Sequence, residues 1–267
     1  MPPLIALITD FGYADPFVGS MKGVIKKIAP ECEIIDLSHD VAPFSIQNAQ
    51  YFLYATAPFM PSETVFIVVV DPGVGTARRG LIAVDHSRCY VLPDNGIISA
   101  VRTKKMSFYS IDMSLFPEAS FTFHGRDVFA PVAARLSIGE PAEVFGRPVD
   151  DVAESPFPWH QTAGDTLVCR SVHIDRFGNV ITSCPSSALA GLSGSLFEVG
   201  FPRRLIHAAA AKTFADIPPH EFGIIAGSAG LIEVSAYRTS ASDACAVRID
   251  DPITITPIVR TSQNERT

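Results

Sequence analysis

The sequence predicts an α/β N-terminal domain, with a mostly parallel central sheet flanked by helices, and a small C-terminal all-β domain of barrel-like form. Three observations lead to this prediction. Apolar runs typical of buried strands alternate with segments of helical period as far as Gly139. Residues 146–165 are then rich in proline and acidic side chains, as linkers are. Beyond them, short strand-like segments follow one another with turn residues between them.

The first domain is expected to gather its ligands at one edge of the sheet. Its third apolar run, TVFIVVV, is typical of a strand buried on both faces and leads into Asp71, just as the first run ends on Asp10. Ligands of open α/β sheets bind beyond the C-terminal ends of the strands. The elements expected in order are a strand at 4–10, a helix at 17–29 that Pro30 ends, a strand at 32–38, a helix at 45–57, a strand at 64–70, strands at 80–85 and 90–96, and a helix at 126–139.

The second domain is expected to contain strands and almost no helix. The segments that predict strands are residues 166–183, 194–201, 221–227, 230–237 and 244–251. We therefore divide the chain into an α/β domain at 1–150, a linker at 151–164, a β-barrel domain at 165–260 and a frayed tail at 261–267.

Composition and charge narrow the class of protein. Hydrophobic residues make up 47% of the 267 residues and charged residues 18%, which favours a well-packed enzyme or binding protein over a disordered chain. The net charge of -7 and the scattered Lys/Arg pairs argue against a nucleic-acid partner. Five cysteines without CxxC spacing predict free thiols in the cytoplasm, and we expect neither a signal peptide nor a membrane-spanning segment.

Polar clusters follow the expected strands, and each has an ordinary structural explanation. They are TDFG at 9–12, DPGVGTARR at 71–79, PDNG at 93–96, FHGRD at 123–127 and DRFGN at 175–179. TDFG could cap a helix, PDNG is a common turn sequence, and DRFGN could form a hairpin loop. The GVG of the second cluster lacks the Lys and hydroxyl residue of a phosphate-binding loop. A histidine followed by glycine, as in FHGRD, is more often structural than catalytic.

A metal site is not favoured. The pairs His39-Asp40 and Asp85-His86 are contiguous in sequence, and neighbouring residues on a strand face opposite ways. Each pair could therefore offer only one ligand to a shared site. The sequence contains neither an H-x-x-x-H nor an H-x-x-E-H pattern around them. We expect no bound metal.

Taken together and in order, the motifs resemble those of one family. TDFG, DPGVG with the following RR, PDNG, FHGRD, FGN, TFAD and GSAG succeed one another as in the S-adenosyl-L-methionine (SAM) hydroxide adenosyltransferases, which are relatives of the fluorinating and chlorinating enzymes. The resemblance covers about residues 4 to 240, and DPGVGTARR and FHGRD are its most specific parts. It implies conversion of SAM and water into adenosine and methionine, by an N-terminal α/β domain and a C-terminal β-barrel.

The resemblance also implies roles for individual residues. The family's catalytic set falls on Asp71, Arg78 and His124. The implied substrate-binding set is Asp10 for the ribose, Phe177, Asn179 and Phe214 around adenine, Asp175 and Ser228 nearer the methionine end, and in addition Phe11, Asp15, Asn95 and Glu233. Leu231 stands where the family commonly has an aromatic residue, so the adenine contacts at 235–238 are left open.

The resemblance implies a small-molecule substrate, no cofactor, and a homotrimer with active sites shared between subunits. The residue types suit an in-line displacement at the ribose 5′ carbon. Arg78 would place a fixed positive charge beside a hydroxide, and because a guanidinium keeps its proton, His124 is the expected proton acceptor. Asp71 would orient His124 or the water, and which of these two side chains takes the proton is left open.

Alternatives remain open at this stage. A halide-using adenosyl transferase is one, although the short run at 80–95 and the presence of all three catalytic residues favour water over halide. A protein that binds adenosine or SAM without turnover is another. A metal-dependent phosphoesterase that uses the acids at the strand ends is the third.

Overall fold

The computed structural model describes residues 2–192 and 194–258, so the predicted tail at 261–267 lies outside the described residues. The chain forms two compact units, the first ending at Phe157 and the second beginning at Pro158. None of the described helices is long and apolar enough to cross a bilayer.

The first unit is a seven-stranded sheet with helices on its faces. The helices are α1 (Phe17–Ile28), α2 (Ile46–Thr56) and α3 (Ala130–Ser137). The strands are β1 (Leu4–Thr9), β2 (Glu33–Ser38), β3 (Val65–Val69), β4 (Gly80–Val84), β5 (Cys89–Pro93), β6 (Ser107–Ile111) and β7 (Gly146–Pro148), in the spatial order β2-β1-β3-β5-β4-β6-β7. β2, β1, β3 and β5 pair in parallel, whereas β4 and β7 run antiparallel to their neighbours. The predicted α/β domain with a mostly parallel sheet is confirmed.

Hydrophobic cores on both faces of the sheet explain the unbroken apolar runs. Alternate side chains of a strand point to opposite faces. Ile5 and Leu7 of β1 therefore pack in the core formed with α1 and α3, while Ala6 and Ile8 pack in the core that includes α2. All residues of β3 are buried in the same alternating way. Because Thr9 pairs with Val69, both strands leave the sheet at the same edge.

The helix expected at 126–139 is shorter in the structure. Gly125–Phe129 form a π-helical turn, and α3 begins only at Ala130. Pro131 lies in the first turn of α3, directly after the π-helical turn. The π-helical turn follows directly on His124, and such turns are frequent at functional sites.

The second unit is a closed barrel. Its strands are β8 (Gln161–Ala163), β9 (Thr166–Ile174), β10 (Val180–Pro185), β11 (Leu196–Phe201), β12 (Arg204–Ala210), β13 (Phe222–Ala226), β14 (Leu231–Ala236) and β15 (Pro252–Pro257). The spatial order is β10-β14-β13-β12-β11-β15-β9-β8, and pairing of β9 with β10 closes seven of the strands, while β8 forms a hairpin with β9. The predicted barrel-like all-β form is confirmed.

The structure corrects two predicted details in this unit. The strand expected at 244–251 is wrong, because a short helix, α4 (Ala241–Cys245), begins where the Ser240 hydroxyl accepts from the Asp243 N–H. The strand in this region is β15 instead. The strand β12 was missed because Ile206 is its only β-branched residue and three alanines end it.

The linker expected at 151–164 is ordered at both ends. Arg79 donates to the Asp151 carboxylate at 2.9 Å, and Gln50 donates to the Ser155 carbonyl at 2.6 Å, so its first residues are bound to the first unit. Its last residues lie in β8 of the second unit. Proline and acidic residues marked a change of composition here, but these specific hydrogen bonds left no signal in the sequence.

Candidate active site

Three polar side chains meet just beyond the C-terminal end of β3. Arg78 donates to both carboxylate oxygens of Asp71, from Nε to Oδ1 at 3.1 Å and from Nη2 to Oδ2. The same Nη2 lies 3.3 Å from Nδ1 of His124. The Asp71 and Arg78 side chains are only 5% and 9% exposed, and His124 is buried. The structure thus brings the predicted Asp-Arg-His set into one contiguous cluster.

The local sequence explains how Arg78 folds back toward Asp71. The Val74 N–H donates to the Asp71 carbonyl and the Thr76 N–H to the Gly73 carbonyl, so the chain turns twice directly after the strand. Gly75 has a φ of 76°, and a Cβ added there would lie 2.5 Å from the Phe121 carbonyl oxygen. Glycine at this position therefore lets the turn pack against the segment that carries His124.

The neighbouring guanidinium and the burial of the ring determine the tautomer and the protonation of His124. A guanidinium can only donate hydrogen bonds, so Nδ1 of His124 must accept from Arg78. A neutral imidazole then carries its proton on Nε2. Burial lowers the pKa of His124, and the neighbouring Arg78 lowers it further. The ring is therefore held neutral, with an N–H group at Nε2.

Asp71 is more basic than an ordinary aspartate. Burial raises its pKa, and this outweighs the opposing effect of the Arg78 charge. Burial also lowers the pKa of Arg78, with Asp71 working in the opposite direction. The cluster thus holds a carboxylate of increased proton affinity beside a fixed cation.

A cavity of about 320 Å³ connects this cluster with Asp10. Asp71 and His124 line it, together with three of the residues predicted to bind substrate, Asp10, Phe11 and Asp15. Burial raises the pKa of Asp10, while a backbone N–H from Phe44 lowers it. The Phe11 ring packs against Phe17 and Phe123, at centroid distances of 5.5 Å and 5.8 Å. The first unit therefore presents three carboxylates and an imidazole in one aromatic-walled cavity.

Phe44 is a cavity residue that sequence reasoning missed. Its backbone N–H donates to Asp10 Oδ2 at 3.0 Å, its φ is 67°, and its side chain lines the cavity while 71% exposed. A positive φ is uncommon for a residue other than glycine. The Pro-Phe sequence gives no signal for this conformation.

A separate cavity of about 570 Å³ lies in the second unit. Residues 236–240 line it, and so do four residues predicted to bind substrate, which are Asp175, Phe177, Asn179 and Phe214. Asp175 Oδ1 accepts from the backbone N–H groups of Phe177 and Asn179, both at 2.9 Å, and Oδ2 accepts from the Asn179 side chain at 2.7 Å. Phe177 and Phe214 are 77% and 47% exposed. DRFGN therefore forms a tight hairpin loop, which was the structural explanation offered for it, and the same loop lines the cavity.

Three predicted binding residues lie outside these two cavities. The Asn95 side chain donates to the Val70 carbonyl at 3.0 Å, so it holds the end of the strand that leads to Asp71. Ser228 is exposed in the GSAG turn. The Glu233 carboxylate lies against Gly227 of that turn, where burial and the charge of Asp175 raise its pKa. PDNG thus forms a turn, and a binding role for Asn95, Ser228 and Glu233 stays a prediction.

The structure also bears on the capping explanation for TDFG. The residue that precedes α1 is Pro16, so Asp10 does not cap this helix. Among the described residues, no group of three or more His, Cys, Asp or Glu side chains is placed to hold a metal ion.

Comparison with known proteins places this arrangement in a family. Residues 5–146 match the SAM hydroxide adenosyltransferase N-terminal domain, and residues 169–254 match the C-terminal domain. A relative from Salinispora arenicola named (R)-S-adenosyl-L-methionine hydrolase is 36% identical, over 95% of this chain and 98% of its own. A fluorinase from an Actinoplanes species is more distant, at 26% identity over 68% of this chain and 71% of its own.

A solved structure of a conserved protein from Thermotoga maritima shares the fold. It superposes with a TM-score of 0.85 at 34% sequence identity, and the match covers 94% of this chain and 99% of that one. Its coverage, like that of the family models, extends over both units. The chain belongs to the SAM hydroxide adenosyltransferase family.

Proposed function

We propose that this protein hydrolyses SAM to adenosine and methionine. The observation that carries the proposal is the contact of Asp71, Arg78 and His124 at a cavity that Asp10 also lines. Near full-length similarity to proteins named (R)-S-adenosyl-L-methionine hydrolase supports it. The sulfonium of SAM already makes methionine a neutral leaving group, so the reaction requires neither a metal nor a cofactor.

In this proposal Asp71 takes the proton of the attacking water. Its raised pKa and its place on the cavity wall suit a general base. His124 was the expected acceptor, but Nδ1 faces Arg78 and Nε2 carries the proton. The Nε2–H group instead donates to the water oxygen and stabilises the hydroxide as it forms. Arg78 holds both partners in place from behind.

The bonds and charges balance in a single displacement. The water oxygen forms a bond to the ribose 5′ carbon while the bond from that carbon to sulfur breaks, and its electron pair stays on the sulfur of methionine. One water proton passes to Asp71 and then to solvent. Holding the water oxygen in line with the breaking bond accounts for much of the rate acceleration, because the two reactants no longer have to meet in the correct orientation by chance.

The ribose and the adenine of the substrate are bound by different kinds of side chain. Asp10 accepts hydrogen bonds from the ribose hydroxyls, and Phe177 and Phe214 stack on adenine. By analogy with the names of the relatives, the preferred substrate is the epimer of R configuration at sulfur.

We also propose a homotrimer in which each active site takes its first-unit cavity from one subunit and its second-unit cavity from another. The exposure of Phe177 and Phe214 supports this, because large aromatic faces left open to water mark binding surfaces. A cytoplasmic location agrees with the five free cysteines.

Hydrolysis is tested with purified protein and each sulfonium epimer of SAM in water enriched in oxygen-18. We expect equal amounts of adenosine and methionine, faster release from the R epimer, and the heavy oxygen in the 5′ hydroxyl of adenosine. Added chloride should yield no chlorinated nucleoside. Absence of adenosine from both epimers with folded protein would overturn the proposal.

Shared active sites are tested by co-expressing Asp71→Asn and Asn179→Ala and assaying them at a SAM concentration far below KM, where each variant alone is nearly inactive. If one site draws on two subunits, random mixing restores about a quarter of the wild-type sites. If each site lies within one chain, the mixture stays inactive. The trimer itself is checked by light scattering coupled to size-exclusion chromatography.

A further inference from the structure

A chain of buried polar groups lies directly behind Asp10. The Thr9 hydroxyl is 2.7 Å from Nδ1 of His39, and Nε2 of His39 lies 3.1 Å from Oδ1 of Asp36 in a contact that is not a linear hydrogen bond. Lys22 donates to the Asp36 carboxylate from the other side at 2.5 Å. The chain therefore runs from a strand-end hydroxyl, through an imidazole, to a surface ion pair. The reaction proposed above does not use it.

The hydrogen-bond directions in this chain are fixed by its two ends. Burial works to raise the pKa of Asp36, but Lys22 and His39 outweigh burial and lower it, so the carboxylate is ionised. An ionised carboxylate only accepts, which favours a proton on Nε2 of His39. Nδ1 then accepts from the Thr9 hydroxyl, whose oxygen in turn accepts from the Phe11 N–H at 3.3 Å. Both residues that flank Asp10 in sequence are thus held by this chain.

The backbone of His39 joins the two loops that shape the cavity. The Gly12 N–H donates to the His39 carbonyl at 2.8 Å, and the Val41 N–H donates to the Thr9 carbonyl at 3.3 Å. The loop that begins at His39 then reaches Phe44, whose N–H donates to the Asp10 carboxylate. Asp10 is therefore restrained from its own strand and from the neighbouring loop, and His39 belongs to both restraints.

A hydroxyl, an imidazole and a carboxylate in a row are also the groups of a nucleophilic triad. Burial excludes that role here, because Thr9 is fully buried and His39 is 1% exposed. A substrate cannot reach the hydroxyl. The Tyr13 ring contacts the His39 imidazole edge-on, at a centroid distance of 4.9 Å, and covers one side of this row of polar groups.

We propose that His39 is a positioning residue that aligns the Asp10 carboxylate with the ribose hydroxyls of the substrate. The proposal rests on the function proposed above for the cavity. Its physical basis is that a carboxylate selects a diol only while both oxygens are held in a fixed orientation, so loosening Thr9 and the loop weakens that selection.

The test compares ribose with a sugar that lacks the hydroxyls. The variants are Thr9→Val, which removes the hydroxyl at nearly constant shape, and His39→Gln, which keeps an amide donor and acceptor. Thr64→Val is the matched control, because Thr64 is also fully buried and its hydroxyl donates to the Pro61 carbonyl at 2.8 Å. Binding of adenosine and of 2′,3′-dideoxyadenosine is measured by calorimetry, and turnover is measured with SAM.

We expect Thr9→Val to weaken adenosine binding about tenfold while dideoxyadenosine binds as to wild type. KM for SAM should rise with little change in kcat, and His39→Gln should lie between Thr9→Val and wild type. Equal losses for both nucleosides, or the same loss in Thr64→Val, would overturn the proposal. Because binding is measured without turnover, a wild-type protein that binds adenosine but releases none from SAM would reject the proposed function alone.

Discussion

The two cavities of this protein are built on opposite principles. In the first unit, Asp71, Arg78 and His124 are nearly excluded from solvent, and each polar group is held by another. In the second unit, Phe177 and Phe214 present large apolar faces to solvent. One cavity is ordered before substrate arrives, and the other gains its apolar contacts only when a flat ligand or a neighbouring surface covers it.

This difference separates chemistry from affinity. The free-energy cost of desolvating the Asp71-Arg78 ion pair is already offset by other interactions of the folded protein. The ion pair and the neutral imidazole can therefore stabilise a developing hydroxide without any rearrangement of their side chains. An exposed aromatic ring contributes only when it is buried on binding. We therefore expect changes in the cluster of Asp71, Arg78 and His124 to alter kcat and changes in the second cavity to alter KM.

The largest expected effect is that of Asp71→Asn. The amide has nearly the same shape as the carboxylate but takes no proton and turns an NH₂ group toward the guanidinium, so kcat should fall about 10²–10⁴-fold, the usual contribution of a general base. Steady-state release of adenosine from SAM measures it. Retention of most of the wild-type kcat would mean that another group takes the proton.

Asp94→Asn provides the matched control for that loss. Asp94 follows β5, is 3% exposed and pairs with Arg79, yet lies outside the cavity that Asp71 lines. Both variants weaken a buried ion pair, so both should lower the melting temperature. Only Asp71→Asn should abolish turnover, and equal losses of activity would make the role of Asp71 structural.

A smaller effect is expected for Phe177→Ala in the second cavity. Loss of a ring that stacks on adenine should raise KM for SAM about tenfold and leave kcat nearly unchanged. Phe59→Ala is the control, because Phe59 is 78% exposed and lies outside both cavities. A fall in kcat with constant KM would contradict the division between the two cavities.

Much of the fold could be read from the sequence, because burial on both faces leaves a simple signal. The runs in β1 and β3 are apolar without alternation since cores lie on both sides of the sheet. β12 shows the limit of this signal, because its middle residues are Ile, His and Ala and its pairing depends on distant neighbours. α4 likewise depends on a single capping serine.

The candidate site was predictable where motifs carry it and hidden where backbone geometry carries it. Asp71, Arg78 and His124 stand in distinctive strings, and the structure brings them together. The tautomer of His124 depends on which of its nitrogens faces the guanidinium, which no string encodes. Phe44 reaches Asp10 through a backbone N–H at positive φ, and a side-chain motif says nothing about a backbone donor.

The smallest expected effect is a shift in the pH profile that distinguishes the contributions of His124 and Asp71. His124 must be neutral to accept from Arg78, and its lowered pKa lies beneath the ordinary value of 6.5, so kcat/KM should hold as pH falls through 6.5 and decline only below it. Asp71 must be ionised, and because burial raises its pKa above the ordinary 3.8, it also loses activity as pH falls, while its carboxylate interacts with His124. The acid limb therefore belongs to the coupled pair.

His124→Asn resolves that pair, because the asparagine carbonyl oxygen can still accept from Arg78 but does not titrate. We expect a reduced kcat, since the Nε2–H donor is lost, and an acid limb that becomes less steep because Asp71 alone then titrates. The kcat/KM profile between pH 4 and 8 measures this. An acid limb that keeps its wild-type slope and position in this variant would mean that Asp71 alone controls the profile and that the imidazole stays neutral throughout.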